Sequence, residues 1–180
     1  LTFRSSNSWK ELFNSLDLQY AVKKVEKPLW YPFSHIAMMI ERKKWPFGIT
    51  PPSGHVDNHG DFEEAAKAEL KEEVGLTAKD LKLLIEGRKE NKCRREDGTW
   101  HYWKIYEVFA EGEVKPSDDE VIQFGWYKKE DIISLAQKTE NYLKGKISEE
   151  NWKLSPGLEP VWYEWFKKLN PEFKKSDSLN

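Results

Sequence analysis

Cysteine is almost absent: Cys93 is the only one in 180 residues. A single thiol excludes an internal disulfide and suits a reducing compartment, so a cytoplasmic location is expected. No apolar run reaches the 18 residues that a membrane-spanning helix needs. The opening residues, L-T-F-R-S-S-N-S-W-K, lack the apolar core of a secretion signal. Charge of one sign is also missing. The formal net charge is −2, so no overall basic field draws the chain to nucleic acid. There is no internal repeat and no low-complexity linker. This length suits one domain with a proper core and is short for two. The expected domain is residues 1–170, with an N-terminal extension and a C-terminal helix, and 171–180 form a polar tail.

What the chain does have is an unusual acidic helix. Ala65 to Leu76 reads A-A-K-A-E-L-K-E-E-V-G-L. Glu69, Glu72 and Glu73 stand at i, i+3 and i+4, within one narrow arc of a helix. Like charges at that spacing repel by a few tenths of a kcal/mol per pair. With Glu69 at 0°, Glu72 and Glu73 fall near about 300° and 40°. Phe62, Ala65, Ala66, Leu70 and Val74 share that side, from about 320° to 140°. Glu64, Lys67 and Lys71 make a charge-balanced face opposite. The unpaired carboxylates therefore border the core, where carboxylates are rarely found without a partner. A hard divalent cation is the most direct partner, because it takes oxygen ligands and leaves positions for substrate phosphates. Gly75 ends the helix.

The stretch Ser53 to Leu76, S-G-H-V-D-N-H-G-D-F-E-E-A-A-K-A-E-L-K-E-E-V-G-L, resembles the Nudix box. That pattern runs Gly, five residues, Glu, seven residues, Arg-Glu-apolar, one residue, Glu-Glu, one residue, Gly-apolar. Gly54, Glu69, Leu70, Glu72, Glu73, Gly75 and Leu76 match in register. Gly60 stands where the first Glu is expected, with Asp61 one residue later, and Ala68 stands where the Arg is expected. The resemblance implies a MutT-like α/β fold, an α/β/α sandwich around a mixed β-sheet. It implies hydrolysis of a diphosphate linkage in a nucleoside triphosphate or a nucleoside diphosphate derivative, with Mg²⁺ or Mn²⁺ as cofactor. Carried over, Glu69 and Glu73 are metal ligands, Glu72 is a third ligand or binds through water, and the Ser53 carbonyl is a backbone ligand. In the family, the Arg orients a box glutamate. Its absence here motivates the alternative of a catalytically weakened nucleotide-binding or regulatory module.

Outside the box, Glu120 in P-S-D-D-E-V-I-Q-F-G-W-Y resembles the family's acid ahead of a strand ending near Trp. There it serves as an extra metal ligand or general base; the plain alternative is a charged strand entry. Asp57 and Asp61 are further loop acids. Nine Trp residues offer walls for a nucleobase. Trp45 and Trp103 are stacking candidates, although aromatics also favour sheets and cores. Arg88 is a candidate phosphate contact. The histidines are weak signals: His55 and His59 fall in a loop, His101 in a strand, and a zinc site needs more ligands at better spacing. The chain also lacks the cysteine near Ser-His-Pro that type 1 isopentenyl diphosphate isomerases use. The proline of ADP-ribose hydrolases and the tyrosine of dinucleoside polyphosphate hydrolases are missing too. The expected partner is a small nucleotide, with no membrane and no nucleic acid.

The coarse element pattern is mixed. A helix is expected over Ser8 to Asp17, and strands over Gln19 to Glu26 and His35 to Lys43. Ala37 to Ile40 is apolar at every position, as in a strand covered on both faces. Pro46 to Gly54 reads as a loop. Strands follow at Leu81 to Arg88, Trp100 to Phe109 and Val121 to Tyr127, then a helix from Lys129 to Gln137. A final helix is expected over Leu158 to Leu169. Its run P-V-W-Y-E-W-F would pack on the sheet or on a second subunit, as in a homodimer.

Overall fold

The computed structural model describes residues 36–96 and 98–170. The expected helix at Ser8 to Asp17, the strand at Gln19 to Glu26 and the tail at 171–180 lie outside them. Strand β1 is Ile36–Arg42, and β2 is the short Ile49–Thr50. Helix α1 covers Phe62–Val74. Strands β3, Thr77–Lys89, and β4, His101–Glu111, form a long hairpin. Strand β5 is Val121–Lys128. Helices α2, Lys129–Leu143, α3, Glu149–Leu154, and α4, Pro160–Leu169, complete the order.

Strand β1 is the centre of the molecule. It pairs antiparallel with β2 on one side and with β5 on the other. Its side chains alternate between two cores, as a pleated strand requires. Ala37 and Met39 join Ile132, Leu158, Trp162, Trp165 and Phe166 under α2 and α4. Met38 and Ile40 join Leu70, Val74, Leu76 and Val121 under α1. All four strand residues are essentially inaccessible, which explains the continuous apolar run. Each buried aliphatic side chain contributes about 1.5–3 kcal/mol. Helices on both faces of β1 make the α/β layering that the sequence implies. The C-terminal aromatic run packs on the sheet of its own chain, with Trp165 fully buried.

Pairing between the named strands is antiparallel throughout the described residues. A parallel contact comes from an isolated bridge between Ile49 and Leu158. Ile49 N–H donates to the Gly157 carbonyl at 2.8 Å, and Glu159 N–H donates to the Ile49 carbonyl at 3.1 Å. The segment before α4 is thus zipped onto the strand that feeds the box loop. Gly48 is required there: a Cβ would lie 2.4 Å from the Glu159 backbone, and φ is +157°.

Helix α1 is capped at both ends. The Asp61 carboxylate accepts from the N–H groups of Glu63 and Glu64, each at 2.9 Å. Asp61 is therefore an N-cap, which gives the shifted acid after Gly60 a structural role. Gly75, at φ 77°, closes the other end by donating to the Lys71 carbonyl. Some boundaries differ from expectation. Helix α2 runs six residues past Gln137, and β3 starts right after the box at Thr77. Strand β2 and helix α3 fall where a loop and no element were expected. Two residues of β2 are too few for a pattern, and α3 is a six-residue helix capped by Ser148, whose Oγ accepts from Asn151 N–H.

Candidate active site

A cavity of about 900 Å³ opens between α1, the loop after β2 and the β3–β4 hairpin. Ser53, Gly54, Glu69, Glu72, Glu73, Glu120 and Trp103 all line it. Trp45 and Arg88 do not line it. Trp45 sits exposed in the β1–β2 loop. Arg88 pairs with Glu90 at 2.7 Å and lies over the Trp100 ring.

The three box glutamates stand at different depths. Glu72 is exposed, Glu69 is half-buried, and Glu73 is only 3% exposed. Burial pushes the Glu73 carboxyl up to about 8, and the nearby Glu69 and Glu120 add to the rise. Arg42 and the Ser53 N–H oppose it. Glu69 is raised by burial first, then by Glu72 and Glu120. Glu69 therefore feels Glu72 and Glu120, and Glu73 feels Glu69 and Glu120, across the cavity. Gly54 lets the loop close directly on Glu69: a Cβ there would lie 1.6 Å from its Oε1.

Arg42, at the end of β1, is the cation paired with the buried Glu73. Its Nη2 lies 3.6 Å from Glu73 Oε1. The same nitrogen donates to the Ser53 carbonyl and, at 3.0 Å, to Ser53 Oγ. Ser53 N–H donates to Glu73 Oε2 at 2.7 Å. One guanidinium thus clamps the loop and the buried carboxylate together. Its Nε is buried and 3.8 Å from Glu159 Oε2, too far for a hydrogen bond. Glu159, also buried, is pushed up to about 7 by desolvation and held down by Arg42. Glu120 is more open, with Lys44 Nζ at 3.7 Å from its Oε1. The Glu120 carbonyl accepts from Lys43 N–H at 2.9 Å, which fixes the strand entry.

Arg42 and Glu159 were not legible as site residues. Arg42 closes an apolar strand, and Glu159 precedes an aromatic helix; the Ile49–Leu158 bridge and the close approach at Gly48 bring them together. A second missed group lies in the same cavity. His55, Cys93 and His101 each present a ligand atom, all within 4.8 Å of one another. His55 is held below its usual value by burial, then by Arg95 and His101. Asp57 is tied to Arg95 on the rim of this group.

The carboxylate set fits a hard divalent cation. Its donors are all oxygen, and burial with mutual repulsion leaves Glu73 under-compensated despite Arg42. Among the described residues, no helix is long and apolar enough to cross a membrane.

Comparison with known proteins agrees with the box. The family model of the NUDIX domain matches residues 33–149. More than half of the chain is covered, and the chain belongs to the Nudix family. An isopentenyl-diphosphate Delta-isomerase from Kocuria rhizophila is 23% identical over 104 residues, 54% of this chain and 56% of that enzyme. The chain thus spans about half the length of this curated relative. Solved structures with likeness include a MutT NUDIX hydrolase from Burkholderia pseudomallei, at TM-score 0.47 and 21% identity over 57% of this chain and 79% of that one. A NUDIX hydrolase from Nitrosomonas europaea gives TM-score 0.47 and 17% identity, covering 62% and 82%. An Ap4A hydrolase from C. elegans gives TM-score 0.39 and 26% identity, covering 60% and 86%.

Proposed function

We propose that this chain is a cytoplasmic, metal-dependent pyrophosphohydrolase acting on a nucleoside triphosphate or another nucleoside diphosphate derivative. The observation that carries this reading is the convergence of Glu69, Glu72, Glu73 and Glu120 on one cavity, with Glu73 buried. Glu69 and Glu73, with Glu72 and the Ser53 carbonyl, would hold Mg²⁺ or Mn²⁺. When bound, that ion neutralises diphosphate charge and makes water a better nucleophile.

The chain's own residues do the rest. Glu73 is held in place by Ser53 N–H and by Arg42, so its orientation is set before substrate arrives. Arg42 supplies from β1 the cation that Ala68 omits from α1. This argues for a working site rather than a lost one. Glu120, half-buried and open to the cavity, would take the proton of the attacking water. Lys44, Lys104, Arg94 and Arg95 line the cavity and offset phosphate charge. Trp103 braces the wall, packed edge-on against Trp162, and offers a face for a base.

The test is a substrate panel with Mg²⁺ or Mn²⁺: standard and oxidised nucleoside triphosphates, nucleotide sugars, ADP-ribose and dinucleoside polyphosphates. Phosphate and pyrophosphate release is compared with Glu73→Gln. Turnover that needs metal and Glu73 supports the reading; tight binding of one member without turnover favours the regulatory module. Isopentenyl diphosphate belongs in the panel, because Cys93 lines the cavity and the Kocuria rhizophila relative is named for that isomerisation. Conversion of that compound, with no diphosphate hydrolysis elsewhere, would replace the hydrolase by an isomerase.

A further inference from the structure

We infer that His55, Cys93 and His101 form a second metal site, for a borderline transition ion such as Zn²⁺, distinct from the carboxylates in the same cavity. Their donor set is two imidazole nitrogens and one thiol sulfur, a combination that favours Zn²⁺ over Mg²⁺. The three ligand atoms lie within 4.8 Å of one another. Bonds of about 2.0–2.3 Å in a tetrahedron put ligand atoms roughly 3.5 Å apart, so closure needs movement on the order of an ångström.

Two of the ligands are prepared independently. His101 Nδ1 lies 3.0 Å from the Asn91 carbonyl. A carbonyl only accepts, so Nδ1 carries the proton and the lone pair sits on Nε2. This is the arrangement by which an outer partner fixes a metal-binding histidine. The Asn91 side chain is held in turn: its Oδ1 accepts from Trp103 Nε1 at 3.2 Å. Cys93 sits in a loop folded around its sulfur. Arg95 N–H donates to Sγ at 3.3 Å, and Cys93 N–H donates to the Gly98 carbonyl at 3.0 Å. A Cβ at Gly98 would lie 2.2 Å from Sγ, so position 98 leaves room for sulfur alone. His55 comes from the box loop, next to Gly54, which touches Glu69.

The ion would tie the hairpin loop and the start of β4 to the box loop. Three protein ligands leave a fourth position, and all three line the cavity, so a water or a substrate oxygen can occupy it. This inference does not depend on the hydrolase reading.

The test uses the purified chain, stripped of metal and titrated with Co²⁺ and then Zn²⁺. One equivalent of Co²⁺ is expected to give thiolate-to-cobalt charge transfer and intense tetrahedral visible bands, both abolished by Zn²⁺. Cys93→Ser should lose the charge-transfer band, His101→Asn should weaken binding about tenfold or more, and Glu73→Gln should keep both signals. In the wild type, Zn²⁺ should protect Cys93 from alkylation, a readout that needs no variant. No thiolate band and no protection overturn the site. Binding that survives Cys93→Ser but disappears in Glu73→Gln also overturns it, assigning the ion to the carboxylates.

Discussion

Two donor sets share one cavity and are built in opposite ways. Glu69, Glu72 and Glu73 stand on a single capped helix whose buried face packs on β1. His55, Cys93 and His101 come from two loops and a strand end, all half-buried. The first set is rigid and electrostatically strained: Glu73 is inaccessible and shares one guanidinium with Glu159. The second is relaxed, with its hydrogen bonds made to backbone and amide groups. The difference separates what a helix and a core can impose from what loops can assemble. Changes at the carboxylates should therefore cost rate, and loss of their shared cation should cost stability. Changes at the nitrogen–sulfur set should cost metal affinity and little else.

The largest effect is expected at Glu73. Glu73→Gln keeps the shape and removes an anionic metal donor, so turnover should fall by about 10²-fold or more, beyond the roughly 10–100-fold of a change in an outer partner. Nucleotide binding should persist. Stability should not fall, because the variant no longer buries a carboxylate that sits at about 8 when folded. Steady-state kinetics and urea unfolding on the same preparations give both numbers. Unchanged turnover would remove the carboxylates from the chemistry and break the comparison at its stronger side.

Arg42→Met comes next. It leaves Glu73 and Glu159 buried without their shared cation, a loss that grows as the two carboxyls ionise with rising pH, up to about 3–5 kcal/mol for a fully ionised buried pair. The urea midpoint should drop accordingly. In the double variant with Glu73→Gln the loss should be smaller than the sum, since the two residues share one interaction. Additive losses would show that Arg42 acts by packing alone.

The pH dependence follows from the same pair. Glu73 and Glu159 are raised from 4.5 to about 8 and about 7, mainly by burial. Between the unfolded and folded values the native chain binds more protons than the unfolded one. Stability is therefore full below about 4.5, and declines as pH rises towards 7 and then 8. The slope is about 1 kcal/mol per pH unit for each group within its window. Urea midpoints measured without metal across this range should show the decline. Glu73→Gln should flatten its upper part, and a divalent cation should offset it in the wild type. A flat profile would mean that the carboxylates are solvated, and the contrast with the relaxed set would vanish.

Legibility follows the same division. The box helix, its Gly75 stop and the doubly covered β1 were readable because one element carries each pattern, at spacing 3.6 or 2. The carboxylates were found for that reason, and Glu120 through its position ahead of β5. Arg42 and Glu159 were not, because their meeting depends on a parallel bridge between Ile49 and Leu158, over a hundred positions apart. Cys93 and His101 looked like a lone thiol and a strand histidine. Their link to His55 is set by how the hairpin folds against the box loop, which no local period records. No sequence pattern separated Trp103 from Trp45 or marked Arg88; Trp103 lines the cavity, and Trp45 and Arg88 do not.

The smallest effect probes the relaxed set without touching a ligand. Trp103→Phe keeps an aromatic wall against Trp162 but loses the 3.2 Å bond from Nε1 to Asn91 Oδ1. One such bond contributes about 1 kcal/mol. Asn91 orients His101 through its carbonyl. The loss should appear mainly as weaker Co²⁺ binding at the thiolate site, by about fivefold for 1 kcal/mol. Mg²⁺-supported turnover should change less, because Phe keeps an aromatic face in the cavity and Trp103 bonds to none of the carboxylates. If turnover falls as far as Co²⁺ affinity, either Trp103 holds the substrate base or the two donor sets act as one site. Substrate KM separates those outcomes: it rises if the indole stacks on a base, and stays level if the wall only supports the loop.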